Sequence, residues 1–364
     1  MRKTILIRAD GIVPSKGGYI PGIGRSTIEL IKGLERLQDS DLHFEIYAEH
    51  ARHPFYSGKE WKFKYHRYLL PHVFSHIVNV ETLWRRLVCK HDLVHLTGEN
   101  GQASNKEKFV VTIHDLRSFH DGRNPPGKYW QFAKYSRGIA TCSTYTKDDI
   151  VRSFGVPADK VAVIPWGIRH DIFYPRSEER IRSVTARLGI RGRYFFSCSC
   201  NLPHKNTDYV LAAFRQFIRE NNDCTMVFTW SNPKKEFTRE YAKEIAEGRI
   251  KFLKFVSDEE LATLYSGALA SIFVSSFEGF GFPILESMAC GTPCVTCRNT
   301  SLEEVGRDKA YYVKEKDADA ITDAMFHFAK YGKGNKGALT SYAKGFSWDN
   351  TARQYIDFYK KNLY

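Results

Sequence analysis

Short apolar runs alternate with stretches of helical periodicity along this chain, and they do so in two separate series. The runs at 4–8, 92–96, 109–113, 138–142 and 161–164 read as strands, with a first helix at 26–37. A second series reads as strands at 194–200, 225–230, 250–255, 270–274 and 294–297, interleaved with helices at 208–219, 259–266 and 283–289. Such alternation makes a parallel sheet, because parallel neighbours need a crossover, usually helical. Two series imply two Rossmann-like α/β halves. The length of 364 residues agrees, being too long for one ordinary core and comfortable for two. Pro175 and the charged run 176–182 mark a linker near 170–185. Residues 347–364, with Trp348, Tyr355, Phe358 and Tyr359, read as an amphipathic terminal helix. The expected division is 1–172 plus 347–364 for one domain and 173–346 for the other.

No stretch approaches the ~20 uninterrupted apolar residues of a membrane-spanning helix. At the N-terminus only Thr4 to Ile7 precede Arg8 and Asp10, too short for a signal-peptide core, so a buried strand of a cytoplasmic protein is expected. Eight cysteines fit a reducing compartment. Cys294 and Cys297 stand three apart in a strand-like run, which points them to opposite faces, and no second pair follows at zinc-like spacing. They are expected to be small core residues. The net charge of +13 calls for an anionic partner. Residues 51–91 carry eight basic side chains against two acidic ones, interleaved with eight aromatics. That mixture suits an anionic membrane surface, where each cation near the headgroups contributes about 1 kcal/mol. It also suits nucleic acid, and a solvated insertion with a few core aromatics would look the same.

The chemistry concentrates in four places. Gly17, Gly18, Gly22 and Gly24, followed by Arg25, lie between the first strand and the first helix. Glycine backbone and a helix N-terminus let amides approach an anion, although the spacing does not match the dinucleotide fingerprint. The strand at 109–113 ends in His114 and Asp115, and carboxyl ends of strands face the ligand in open α/β sheets. His204, Lys205 and Asn206 occupy the equivalent turn of the second half, where a lysine can neutralise a diphosphate. The fourth place, SSFEGFGFPILESMACGTP at 275–293, holds two glutamates eight apart. Glu278 precedes a glycine-rich turn, where a sugar would enter, and Glu286 lies inside the following helix, within reach of a ribose diol. The turn itself offers amides at a helix start.

The block SSFEGFGFPILESMACGTPCVTC resembles, almost position for position, the signature of the retaining glycosyltransferases of family 4, which have the GT-B fold. GIGRSTIEL, TIHDL, STYTKDDIVRSFGVPADKVAVIPWGI, LPHKNTDYVLAAF and NTSLEEV resemble further blocks of that family in the same order. The resemblance implies two Rossmann-like domains facing across a cleft. The first would bind the acceptor, the second the nucleotide sugar, and the C-terminal helix would return to the N-terminal domain. It further implies that Glu278 contacts the hydroxyls of the transferred sugar and Glu286 the ribose. The amides of Phe280 and Gly281 would hold the sugar and phosphate side, Lys205 and the backbone near Gly22 and Gly24 the diphosphate, and His114 the donor sugar. Two departures stand out. The arginine usual beside the lysine is His204, which leaves three outcomes for leaving-group stabilisation: it weakens, becomes pH-sensitive, or draws on another cation such as Arg25. The family's Asn-Gly-Val-Asp at the domain junction is Trp166-Gly-Ile-Arg169.

The reaction implied is retaining transfer of a hexose from a nucleotide sugar, GDP-mannose or a UDP-sugar favoured. The acceptor would be a glycan or a polyprenyl-linked saccharide in surface polysaccharide biosynthesis. Same-face attack, with the departing phosphate taking the acceptor's proton, is favoured over double displacement on Glu278. No Asp-x-Asp stands at a plausible strand end, so no metal and no other cofactor is expected, Lys205 and the two loops taking that part. The expected partners are the donor, the acceptor and an anionic membrane surface met through 51–91 at the inner face of the cell membrane, with no nucleic acid. A nucleotide-sugar epimerase, a DNA-modifying glucosyltransferase and a non-enzymatic nucleotide-sugar sensor are the alternatives. The glutamate pair favours the transferase over the epimerase, and Glu278 itself speaks against the sensor.

Overall fold

The computed structural model describes residues 2–9, 11–12, 20, 22–48, 61–67, 78–99, 101, 105–123, 126–198, 200, 202–221, 223–230 and 232–364. Two compact units emerge, Met1–Gly167 with Trp348–Tyr364, and Ile168–Ser347. The stretch expected as a linker belongs to the second unit. There Ser177 caps the helix Glu178–Arg187 by accepting from the Arg180 amide, and Val184 is its one buried residue. Most of the charged run is the exposed start of this helix, and Arg176 ahead of it is held by Glu259, with its side chain only 7% exposed.

In the first unit the strands are β1 (Lys3–Arg8), β2 (Leu42–Ala48), β3 (Lys64–Arg67), β4 (Leu93–Leu96), β5 (Phe109–Thr112), β6 (Gly138–Thr141) and β7 (Val161–Val163). All pair in parallel, in the order β3-β2-β1-β4-β5-β6-β7. Ile5, Leu6 and Ile7 of β1 are wholly buried, as befits a strand covered on both faces. The order reverses between β1 and β4, and beyond the carboxyl ends at such a switch point an open sheet binds its ligand. The helix Trp348–Leu363 packs on the helix Gly22–Leu37 at Gly33. A methyl group there would lie 2.9 Å from the Ala352 Cβ and 3.0 Å from the Trp348 carbonyl oxygen. Polar contacts continue the seam: Tyr359 Oη to His95 Nδ1 at 2.8 Å, His95 Nε2 to Thr112 Oγ1 at 2.8 Å, and Thr112 Oγ1 to Tyr355 Oη at 2.9 Å.

In the second unit β8 (Arg193–Ser197), β9 (Cys224–Thr229), β10 (Ile250–Leu253), β11 (Ser271–Phe273), β12 (Cys294–Cys297) and β13 (Tyr311–Val313) form a parallel sheet ordered β10-β9-β8-β11-β12-β13. Its core gathers Phe195, Phe214, Phe217, Met226, Phe228, Ile272 and Val295. Cys294 and Cys297 lie buried in β12, and burial foremost pushes each thiol up to about 12.

The basic segment 51–91 divides. Residues 51–60 and 68–77 lie outside the described residues. Arg85 does not face outward, contrary to its expected place on a membrane surface. Its guanidinium is buried, with Nη1 2.8 Å from Glu81 Oε1 and 2.9 Å from the Tyr47 hydroxyl, and a further contact to Glu107. Trp61 is buried, Phe63 packs on Phe44 and Trp84 on Tyr47. An ion network and a core have absorbed part of what reads as surface along the chain. Lys62, Lys64, Arg86 and Lys90 remain exposed. Among the described residues no helix is long and apolar enough to cross a membrane.

Candidate active site

The loops that follow β8, β11 and β12 are tied together at the carboxyl edge of the second sheet. Asn206 makes the first tie. It adopts φ 50°, a left-handed conformation that asparagine tolerates, and its buried Nδ2 donates to the Val274 carbonyl at 2.8 Å and to Ser276 Oγ at 2.7 Å. The carbonyl of His204 accepts from the Ser276 amide at 2.7 Å and from Ser275 Oγ at 2.9 Å. His204 thus contributes its backbone to the site's frame.

The stitching sets Lys205 against Glu278. Nζ lies 2.5 Å from Oε1, with the two side chains 19% and 17% exposed, and the ammonium sits 5.0 Å from the centre of the Phe273 ring. Burial opposes the charge on Lys205, but the charge and hydrogen bond of Glu278 outweigh it and raise the lysine's pKa. Lys205 is therefore a full cation at neutral pH.

Glu278 leads into Gly281, which precedes the helix Phe282–Ala289 with φ 111°. A side chain there would be strained, and its Cβ would come 2.9 Å from Leu302 Cδ2. The loop after β12 holds this turn from behind. Ser301 Oγ lies 2.9 Å from the carbonyl oxygens of both Glu278 and Phe280, and Asn299 Nδ2 donates to the Ser275 carbonyl at 3.2 Å. Phe280 is buried, so its side chain anchors the turn. Glu286, half-buried on the same helix, accepts from the Tyr265 hydroxyl at 3.1 Å. Burial, then the charge of Glu286, holds the Tyr265 pKa far above its usual value, so this hydroxyl stays a donor.

In the first unit Gly22 and Gly24 open the helix Gly22–Leu37. At Gly24 a Cβ would fall 2.0 Å from the Gly11 carbonyl oxygen, so the helix start and the loop after β1 touch backbone to backbone. Arg25 Nε donates to the Ile20 carbonyl at 3.3 Å. Gly17 and Gly18 lie outside the described residues. His114 is buried after β5 and donates from Nε2 to the Thr97 carbonyl at 2.7 Å. That bond leaves Nδ1 as an acceptor, and it is buried without a partner. Burial, only partly offset by the Thr97 carbonyl, lowers the histidine pKa to about 4. Its ring packs 5.1 Å from Trp166. A cavity of about 10 Å³ lies beside it, lined also by Ser26, Thr27, Thr97, Thr112 and Trp166. That is room for about one water molecule, enough for a hydroxyl and too little for a sugar ring.

The two departures at the domain junction have structural partners, Trp166 the His114 ring and Arg169 the carboxylate of Asp258. Two Asp-x-Asp pairs do occur, one before β2 and one four residues beyond β13. Asp39 and Asp41 both bind Lys360 Nζ at 2.9 Å, and Asp317 caps the helix Ala318–Tyr331. Tyr265, Ser301 and Asn299 support the site through contacts distant in sequence, which no local pattern announces. Only the Lys-Asn dipeptide carried a local signal, an asparagine suited to positive φ.

Chemically, the second unit offers a fixed cation and a helix start for an anion, and a carboxylate oriented for a diol. Comparison with known proteins bears on this arrangement. Residues 189–335 match the model described as Glycosyl transferases group 1, and residues 20–172 that of Glycosyltransferase Family 4. The chain is 28% identical over 271 residues to O-antigen chain mannosyltransferase B of Escherichia coli, which covers 70% of each. It is 28% identical over 233 residues to the MMP alpha-(1->4)-mannosyltransferase of Mycolicibacterium hassiacum, covering 62% of this chain and 54% of that one. Among solved structures, a glycosyltransferase of Rickettsia africae superposes with a TM-score of 0.77 at 19% identity, over 100% of this chain and 99% of that one. The Anabaena protein HepE, solved with UDP and glucose, gives 0.74 at 14% identity over 99% and 100%.

Proposed function

This chain belongs to the glycosyltransferases of the GT-B fold, and from that premise we propose that it moves a hexose from a nucleoside-diphosphate sugar to a saccharide acceptor in polysaccharide biosynthesis, with retention and without a metal. One observation carries the reading: Lys205 and Glu278 stand paired beside the Gly281 helix start, held there by three loops. Lys205 and the amides at Phe280 and Gly281 receive the diphosphate. Glu286, aimed by Tyr265, receives the ribose diol. Once phosphate takes up Lys205, the carboxylate of Glu278 turns to the hydroxyls of the sugar. His114 offers Nδ1 to a sugar hydroxyl, and the start of the helix Gly22–Leu37, with Arg25, adds amides and a cation for phosphate.

Cleavage of the sugar–phosphate bond builds charge on the leaving diphosphate. A preorganised donor aimed at that charge is worth about 2.7–4 kcal/mol, which makes Lys205 the main catalytic group. The departing phosphate takes the acceptor's proton on the face it leaves. Relatives named as mannosyltransferases favour a mannosyl donor, and the likeness to a protein solved with UDP and glucose keeps UDP-sugars in view.

The acceptor belongs to the first unit and is polyprenyl-linked, presented at the inner face of the cell membrane. Support comes from the helix Val78–Val88, where Leu83 is 59% and Leu87 76% exposed, with Arg86 exposed on the same helix and Lys90 exposed just after its end. An apolar pair flanked by cations suits an anionic headgroup surface.

The reading is tested by incubating the protein with GDP-mannose and UDP-sugars in excess EDTA, with saccharide acceptors, and assigning the product's anomeric configuration by NMR. Acceptor-dependent transfer with retention is expected. Loss of transfer in EDTA, restored by Mg²⁺ or Mn²⁺, refutes the metal-free mechanism. Release of free epimerised sugar without acceptor refutes the transferase.

A further inference from the structure

Away from these loops, the edge of the first sheet gathers three chemically different ligands. A carboxylate oxygen of Glu45, an imidazole nitrogen of His66 and Sγ of Cys89 all lie within 4.8 Å of one another. Their convergence follows from the sheet. β2 pairs in parallel with β3, Glu45 opposite Lys64 and Tyr47 opposite His66, so Glu45 and His66 share a face near the edge. Cys89 arrives from the other side of the sequence, directly after the helix Val78–Val88, with its amide bonded to the Arg85 carbonyl. Glu45 and Cys89 are buried, and the His66 side chain is 11% exposed. His43, two residues before Glu45 and so on the same face, brings Nε2 within 3.3 Å of Glu45 Oε1 and is 49% exposed.

We propose that Glu45, His66 and Cys89 form a divalent transition-metal site, zinc by its chemistry, with His43 able to swing in as a fourth ligand. Thiolate and imidazole donors select zinc-like ions over magnesium or calcium. One thiolate and one carboxylate also neutralise a dication, so that the occupied site carries no net charge into a nearly buried position. Lys64, whose Nζ lies 3.8 Å from Glu45 Oε2, is 63% exposed and free to turn to solvent. The metal's task is structural. It would clasp β3, a four-residue edge strand, and β2 to the end of a helix. The strand that leads to His114 lies three to four places away in the sheet, roughly 14–19 Å at the usual strand spacing, so the transfer chemistry is separate.

The test is titration of the metal-stripped full chain with Co²⁺, following the thiolate-to-cobalt charge-transfer band, then displacement by Zn²⁺ and a thermal melt. One equivalent should bind, and Zn²⁺ should raise the melting temperature. Cys89→Ser should abolish the band, His66→Ala should weaken binding more than about tenfold, and His43→Ala less. Glu45→Gln, which keeps the shape of the cluster, serves as a second variant should Cys89→Ser fold poorly, and it too should weaken Co²⁺ binding. Absence of a thiolate band, binding only in large molar excess, or a band unchanged in Cys89→Ser overturns the proposal. The cluster is then a hydrogen-bonded group only.

Discussion

Glu278→Gln should tighten binding of the nucleoside diphosphate while lowering transfer, the opposite of what loss of a donor-site residue usually does. The reasoning starts from the 2.5 Å pair between Lys205 and Glu278, with both side chains less than a fifth exposed. A diphosphate arriving at Lys205 must compete with a carboxylate already bound there, and must tolerate that carboxylate's charge. An ion pair of this exposure is worth about 1 kcal/mol, so removing the charge should improve nucleotide affinity by up to about fivefold. Transfer should still fall, because the amide no longer accepts strongly from the hydroxyls of the sugar. Lys205→Ala works in the other direction on binding. It removes the cation that meets the growing charge, which should cost about 2.7–4 kcal/mol of activation, or 10²–10³ in kcat, in addition to weaker binding. Isothermal titration with the nucleoside diphosphate, set beside single-turnover transfer, separates the two effects. In the double variant the gain from Glu278→Gln should vanish. If Glu278→Gln weakens the nucleotide as much as Lys205→Ala does, the competition is wrong. If Lys205→Ala turns over like wild type, the assignment of the lysine is wrong.

Gly281→Ala forces a side chain to φ 111° and against Leu302. It should cost about 1–3 kcal/mol, read as a lower melting temperature, together with lost nucleotide binding; a variant that is stable and active would show that the turn does not need glycine. His95 and His114 are held neutral by burial foremost, at about 3 and about 4, against an ordinary value of 6.5. The unfolded chain therefore binds protons that the folded one refuses. Stability is complete above pH 6.5 and falls as pH drops toward 4, by up to about 2.7 kcal/mol per pH unit for the two together. His114→Gln should make urea-midpoint curves shallower across that window, and an identical slope would exclude His114. Co-sedimentation with anionic liposomes should occur at low salt and fade at high salt. Changing Leu83 and Leu87 to Ser with Arg86 and Lys90 to Glu should abolish it, and equal pelleting of that variant would exclude this face. Arg85 is left alone in that test, because its charge is buried against Glu81.

What could be read along the chain depends on whether a residue's partner is near it in sequence. The apolar run of β1 and the alternating helices announce their own burial, and the two series of them suffice for two parallel sheets. The order of strands around β1, and β3 itself, are not announced. Lys-Tyr-His-Arg has no apolar pattern, and it becomes a strand only because β2 supplies a register for it. The same division runs through the site. Glu278 and Glu286 share one loop and helix, so their spacing is visible. The contacts that aim them are not, because Asn206 reaches across to Val274 and Ser276, Ser301 to Glu278, and Tyr265 to Glu286. Charge is the least legible quantity of all. Arg85 and Arg86 are neighbours in a basic segment, yet one is buried among Tyr47, Glu81 and Glu107 and the other is exposed. A surplus counted along a chain therefore bounds how basic a surface can be, and only the partners each cation finds decide how much of that surplus is left for a membrane or a phosphate.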